Sequence, residues 1–331
     1  MSNTFRAIQV SRDEEKKQSV DVVELSRDDL MEGDVLVDVE ATTVNYKDGL
    51  AITGKSPVVR HWPMVPGIDL AGTVIESGSS EFSAGDRVLL NGFGVGEAHW
   101  GAYAGEARLS SDWLIPHPKS LSAKQSMGIG TAGYTAMLCV MALEEYGLTP
   151  DSGPVVVTGA NGGVGTVAIA ILSKLGYHVI ASTGRVDESS FLTELGASEI
   201  IDRAELSEAG RPLGKERWAG GVDAVGSHTL ANVLAQTRYG GGVAACGLAQ
   251  GFDLPATVMP FILRGVALLG VDSVMASKEK RMQAWKRIES DLDLDKLEAL
   301  TTEIGFDQII ETATNIVDGK VRGRVIVDMK A

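Results

Sequence analysis

The chain has 331 residues, 44% hydrophobic and 22% charged, a balance that excludes a disordered segment and leaves length for two domains with buried cores. Lys and Arg number 30 against 44 Asp and Glu, a formal net charge of −14, which argues against a nucleic-acid partner without forbidding an anionic small ligand. Two cysteines, Cys139 and Cys246, exclude a disulfide scaffold and a four-cysteine zinc lobe.

The N-terminus is charged too early for a signal peptide, and no uncharged apolar stretch of about 18–20 residues reads as a membrane span. The expectation is a cytoplasmic, reduced protein. Short β-branched runs at Ala7–Val10, Val35–Ala41, Gly72–Ser77, Arg87–Leu90 and Trp113–Pro118, broken by Gly and Pro turns, predict a barrel-like first part. Ala123–Tyr146 is rich in Ala, Met and Leu and predicts a helix, with Met127, Met137 and Met141 as core.

Strands and helices then alternate. Strands are predicted at Val155–Thr158, Tyr177–Ser182, Glu199–Ile201, Val222–Val225, Gly242–Cys246 and Val266–Val271, and helices at Gly165–Leu175, Phe191–Leu195 and Leu230–Tyr239. That order predicts an α/β fold with a doubly wound parallel sheet. Glu279–Ser290 and Leu297–Ile304 read as helices. Gly323–Met329 reads as a closing strand that rejoins the barrel.

The segment Val155–Arg185 carries the most information. Gly159, Gly162 and Gly165 stand between an apolar strand and an apolar helix, the context of a dinucleotide-binding loop. Gly162, Gly163, Val164 and Gly165 are placed on a pyrophosphate at the helix N-terminus. An NAD-type site carries an acid at the end of the second strand, on the ribose 2′-hydroxyl. Here Thr183, Gly184 and Arg185 stand there, a set that suits a 2′-phosphate and predicts NADPH. Ligands sit outside the carboxyl ends of parallel strands. That rule places Arg203 near the adenine, Leu248 and Ile262 along the nicotinamide, and Ser273 at the carboxamide.

The motifs PGIDLAGTV (66–74), GDRV (85–88), GTAGYTAM (130–137) and GANGGVG (159–165) resemble the medium-chain dehydrogenase/reductase superfamily. NYKDGLAITGK (45–55), NGFGVGEAHWG (91–101), YGGGVAACGLA (239–249) and MPFILRGVALLGVDSVM (259–275) resemble its acrylyl-CoA reductase branch, long filed with the quinone oxidoreductases. The resemblance implies a Rossmann domain beside a GroES-like β-barrel catalytic domain. The expected boundaries are 1–124 for the N-terminal part of the catalytic domain, 125–274 for the NADPH-binding domain and 275–331 for the return.

It implies NADPH-dependent reduction of the C=C bond of acryloyl-CoA to propionyl-CoA. Alternatives are an NADPH:quinone oxidoreductase or a non-catalytic NADPH-binding protein. The positions of the superfamily's catalytic zinc ligands fall on Asn45, Ile68 and Thr131, none of them a soft ligand, so no metal is expected. Tyr46, in the loop that replaces the zinc loop, is placed on the cofactor or as proton donor, with packing as its bland role. Asp69 reads as a turn brace. Asp318 is suggested because the family's C-terminal turn reaches the cofactor. Arg60 and Arg108 are candidates for the CoA phosphates, and a homodimer through the edge strand at 266–271 is expected.

Overall fold

The computed structural model describes residues 4–331. Thr4–Arg12 (β1) pairs antiparallel with Gln18–Ser26 (β2), which sets Val10 opposite Val20 and Ala7 opposite Val23. The second strand was not predicted: its valines are interleaved with Asp21 and Glu24 and follow a highly charged turn. Val35–Thr43 (β3) leads into a helix, Tyr46–Thr53 (α1), also outside the predicted elements. Asn45 caps it, and the Asp48 carboxylate accepts the Asn45 backbone N–H at 2.8 Å.

Asp69–Ser77 (β4), Arg87–Asn91 (β5), Glu106–Leu109 (β6) and Ile115–Pro116 (β7) follow. The strand expected at 113–118 shrinks to two residues because Ser111–Trp113 is a 3-10 turn. A helix, Ala123–Glu145 (α2), comes next and breaks at Gly130, whose φ is +50°. Contrary to expectation, α2 is apolar enough to cross a membrane by length and composition. However, 89% of its most apolar window is buried in the protein, the environment of a core helix. Met127, Met137 and Met141 are buried in it as expected.

Strands β8 (Val155–Val157), β9 (Val179–Thr183), β10 (Glu199–Asp202), β11 (Trp218–Asp223), β12 (Thr237–Ala245) and β13 (Ala267–Gly270) form a six-stranded sheet in the order β10-β9-β8-β11-β12-β13. Every recorded pair in it is parallel. The expected doubly wound sheet is therefore present. Helices α3 (Gly163–Lys174), α4 (Ser189–Leu195), α5 (Ser227–Ala235) and α6 (Met259–Arg264) connect its strands. The three valines of β8 are fully buried, as a strand covered on both faces requires.

Two predicted boundaries are corrected. The helix drawn to Tyr239 stops at Ala235, and β11 starts four residues before Val222. Both strands hold glycines, Gly220 and Gly221 in β11 and Gly240–Gly242 in β12, which depress strand propensity. A Cβ on Gly220 would lie 2.8 Å from a Leu148 methyl.

Lys278–Asp291 (α7) and Leu294–Ala299 (α8) precede a third correction: Thr301–Gly305 (β14) is a strand, not helix. Its β-branched residues pair parallel with Arg324–Asp328 (β15), Thr301 opposite Arg324. Ile309–Val317 (α9) lies between them. As expected, the closing strand rejoins the first part, with Ile326 of β15 opposite Thr43 of β3. The second sheet runs β14-β15-β3-β4-β5-β7, with β6 also on β3.

The chain divides into two compact units. The first comprises the chain up to Thr131, Val274–Gln283 and Leu300–Ala331, and the second comprises Ala132–Ser273 and Ala284–Ala299. In the first, Val37, Leu70, Val88, Leu90 and Leu109 centre one core, and Ile8, Tyr103, Ile309 and Val327 a second. In the second unit, Val156, Trp218, Val233 and Val243 centre the core.

Candidate cofactor and catalytic sites

In the parallel-sheet unit, β8 ends at Val157 and the loop 158–162 delivers the chain to Gly162, the N-cap of α3. Gly163, Val164 and Gly165 form the first helical turn, whose N–H groups favour an anion. A Cβ on Gly165 would run into the Gly159 carbonyl oxygen and lie 2.8 Å from the Ala160 Cα, so this glycine serves close packing of helix on loop.

The Ala160 N–H donates to the Ser182 carbonyl at 3.2 Å, tying the loop to the end of β9. There the Thr183 hydroxyl donates to Asn161 Oδ1 at 2.5 Å and accepts the Arg185 backbone N–H at 2.9 Å. Arg203, just past β10, lies across Gly184: a Cβ on that glycine would sit 2.5 Å from its Nε. The structure thus brings Gly162–Gly165, Thr183–Arg185 and Arg203 together at the carboxyl ends of β8, β9 and β10. Arg185 also lies 3.8 Å from Glu188.

On the other side of the sheet, Asp223 at the end of β11 accepts the Thr158 hydroxyl at 2.7 Å and the Gly226 N–H at 2.8 Å. Burial raises its carboxyl pKa. A Cβ on Gly226 would lie 3.2 Å from the Leu248 Cα, which places Leu248 beside the β11 turn. Leu248 and Ile262 expose 59% and 71% of their surface. Ser273 ends the unit's run before residue 274.

The other unit carries a buried polar cluster at the positions compared with zinc ligands. Asn45 and Thr131 do not face a vacancy; both bind Asp69, the neighbour of Ile68. Asp69 Oδ2 accepts Asn45 Nδ2 and the Thr131 N–H, each at 2.8 Å. Its Oδ1 accepts Asn91 Nδ2 at 2.7 Å and the Thr131 hydroxyl at 2.5 Å. The turn at Gly130 makes this possible: a Cβ there would lie 2.6 Å from Arg324 Nη2 and 2.9 Å from Asp69 Oδ2.

Arg324, buried at the start of β15, donates to Asn45 Oδ1 at 3.1 Å, to the Thr43 hydroxyl at 2.9 Å and to the Gly128 carbonyl at 2.8 Å. Asp48, also buried, accepts the Ile68 N–H at 3.1 Å. Burial pushes its carboxyl up to about 7. Burial likewise raises the Tyr103 hydroxyl well above its ordinary value.

Tyr46, the first residue of α1, is 42% exposed and Asp318 caps the end of α9, both in this same unit. Lys55 at 2.8 Å and Lys320 at 3.1 Å hold the Asp318 carboxyl below the usual carboxylate range. Arg108 lies 3.4 Å from Glu76. Sequence reasoning underweighted Asp69 and missed Asn91, Asn161, Asp223 and Arg324. An arginine inside an apolar strand is the signal that flags Arg324.

A parallel sheet with an anion-ready loop, joined to a barrel-like unit, defines a nucleotide-dependent oxidoreductase architecture. Residues 31–143 match the alcohol dehydrogenase GroES-like domain family, and residues 163–290 the zinc-binding dehydrogenase family. The chain is 54% identical over 329 residues to a protein named acrylyl-CoA reductase AcuI from Ruegeria pomeroyi, covering 99% of this chain and 100% of that one. It superposes on the yhdH oxidoreductase of Salmonella enterica, solved in complex with NADP, with a TM-score of 0.96, 51% identity and coverage of 98% and 99% of the two chains. It superposes on Bacillus subtilis yhfP, solved with NAD bound, with a TM-score of 0.94, 42% identity and coverage of 99% and 100%. The chain belongs to the medium-chain dehydrogenase/reductase family.

Proposed function

We propose that this protein is an NADPH-dependent oxidoreductase that reduces the C=C bond of acryloyl-CoA to propionyl-CoA. The observation that carries the substrate is the near-full-length likeness, at 54% identity, to a protein named acrylyl-CoA reductase. The cofactor rests on the parallel-sheet unit: Arg203 packed so closely on Gly184 that no Cβ fits between them, Arg185 beside it, and no acid at the end of β9.

In this reading Gly162–Gly165 bind the pyrophosphate through the α3 N-terminus. Thr183, Gly184 and Arg185 hold the 2′-phosphate, Arg203 flanks the adenine, and Leu248, Ile262 and Ser273 line the nicotinamide end. Asp318 supports the cofactor from the C-terminal turn. Bound NADPH supplies the hydride that the substrate β-carbon gains. Tyr46, with its exposed ring, hydrogen-bonds the cofactor or delivers the proton that the α-carbon gains. The buried Asp69 cluster positions the Asn45–Tyr46 segment, since Asn45 is both the cap of α1 and a donor to Asp69.

A thioester carbonyl carries the developing charge and needs hydrogen-bond donors rather than a metal. We read the protein as cytoplasmic, in keeping with its free Cys139 and Cys246, and as a homodimer through β13.

Purified protein assayed for NADPH oxidation is expected to turn over acryloyl-CoA with a higher kcat/KM than crotonyl-CoA, and both far better than quinones. The B. subtilis relative carries the name putative quinone oxidoreductase, so preference for a quinone, or no turnover of any enoyl-CoA, would overturn the assignment.

A further inference from the structure

Asn161 is the second residue after Gly159 in the loop that joins β8 to α3. Its amide oxygen is engaged at the end of β9. The Thr183 oxygen accepts the Arg185 backbone N–H at 2.9 Å, and its own proton goes to Asn161 Oδ1 at 2.5 Å. The amide nitrogen Nδ2 therefore faces away from Thr183. It is buried, and no group among the described residues accepts its protons. Buried donors without an acceptor are rare, and each one in a folded protein calls for an explanation.

The position of Asn161 narrows the explanation. It precedes the N-cap Gly162, outside the helical turn whose backbone suits a pyrophosphate. It is bonded instead to the end of β9, next to Gly184 and the Arg203 side chain that covers it. An uncharged donor there suits a dianionic phosphate, which a carboxylate at the same place would repel.

We infer that Asn161 is a specificity-determining residue that donates from Nδ2 to the adenosine 2′-phosphate of the dinucleotide. The Thr183 hydroxyl is the positioning group that orients it. The inference rests on the NADPH reading and adds to it a residue that the spacing of the glycines does not single out.

The test is calorimetric titration of the full chain with NADP+, NAD+ and adenosine 2′,5′-bisphosphate, a probe that carries the 2′-phosphate without nicotinamide. Asn161→Asp keeps the acceptor for Thr183 and replaces the donor by a negative charge. Asn161→Ala removes both. Asn161→Asp is expected to weaken NADP+ and the bisphosphate by on the order of ten- to a hundredfold. NAD+ is expected to change little.

The melting temperature of ligand-free Asn161→Asp is expected to fall somewhat, because a charged oxygen replaces a buried amide nitrogen, so the ranking of the three ligands, not stability, carries the test. Asn161→Ala is expected to show the same ligand ranking with a smaller loss. Equal weakening of NADP+ and NAD+, or no weakening of either, would overturn the inference. Failure of the cofactor reading is seen separately, in the parent: no preference for NADP+ over NAD+ there removes the basis for both.

Discussion

Asp48 shows how strongly a single buried side chain is governed by its surroundings. Burial takes its carboxyl from its ordinary range up to about 7, although backbone and side-chain N–H groups of Asn45 and the Ile68 N–H pull the other way. In the unfolded chain the group titrates near pH 4. Between that pH and about 7 the folded protein holds a proton that the unfolded chain has released. The stability tied to neutral Asp48 is thus fully present below about pH 4 and is lost as pH rises through 7. Asn cannot ionise, so Asp48→Asn should flatten this dependence, although Asn also forfeits an acceptor and lowers stability at every pH. Urea denaturation at pH 5 and pH 8 is expected to show a larger fall for the parent than for the variant. Parallel falls would mean that Asp48 is already ionised at pH 5. At Asp69 four donors converge on the two carboxylate oxygens, so its neighbours need it as much as it needs them.

At the scale of elements, legibility in the sequence followed the physics of each segment. The β8–α3–β9 unit was readable because apolar runs flank the glycine loop. Strands β11 and β12 were misjudged because their glycines permit close packing on Leu148 and Ala219, a tertiary requirement with no local signature. Strand β14 reads as helix in the sequence because its partner β15 lies more than twenty residues later. In the candidate sites, the glycine spacing and the missing acid after β9 pointed to one half. The Asp69 cluster drew its members from β3, β4, β5, α2 and β15, and no spacing rule links residues so far apart. The loop also yields a test. Gly165→Ala forces a methyl against the Gly159 carbonyl and the Ala160 Cα, where backbone, not a flexible side chain, must yield. The expected cost is about 1–3 kcal/mol, read as a lower melting temperature together with weaker nucleotide binding. A variant with parental stability would show that the loop relaxes freely.

For the molecule as a whole, the open question is what covers the outer edge of the six-stranded sheet. Among the described residues β13 pairs only with β12, and Leu268 within it is 36% exposed. Unpaired apolar edges invite another strand, and two copies related by a twofold axis would satisfy each other. Sedimentation equilibrium is expected to return a dimer for the parent and a shift toward monomer for Leu268→Lys, since a charge on an edge strand opposes pairing. A monomeric parent would refute this reading.

The way Asn45, Asn91 and Thr131 all lean on Asp69 also bears on which substitutions this site can accept. Two of the three replacements that would build a Cys, His, Cys ligand set here, Asn45→Cys and Thr131→Cys, cut into this network. The first strips Asp69 of a donor and Arg324 of an acceptor, and the second removes the hydroxyl from Asp69. Either step incurs a loss before a ligand set exists to offset it, and residues in one network do not contribute independently. The cluster therefore resists piecemeal conversion: a ligand set made at these positions needs its partners around Asp69 and Arg324 changed with it.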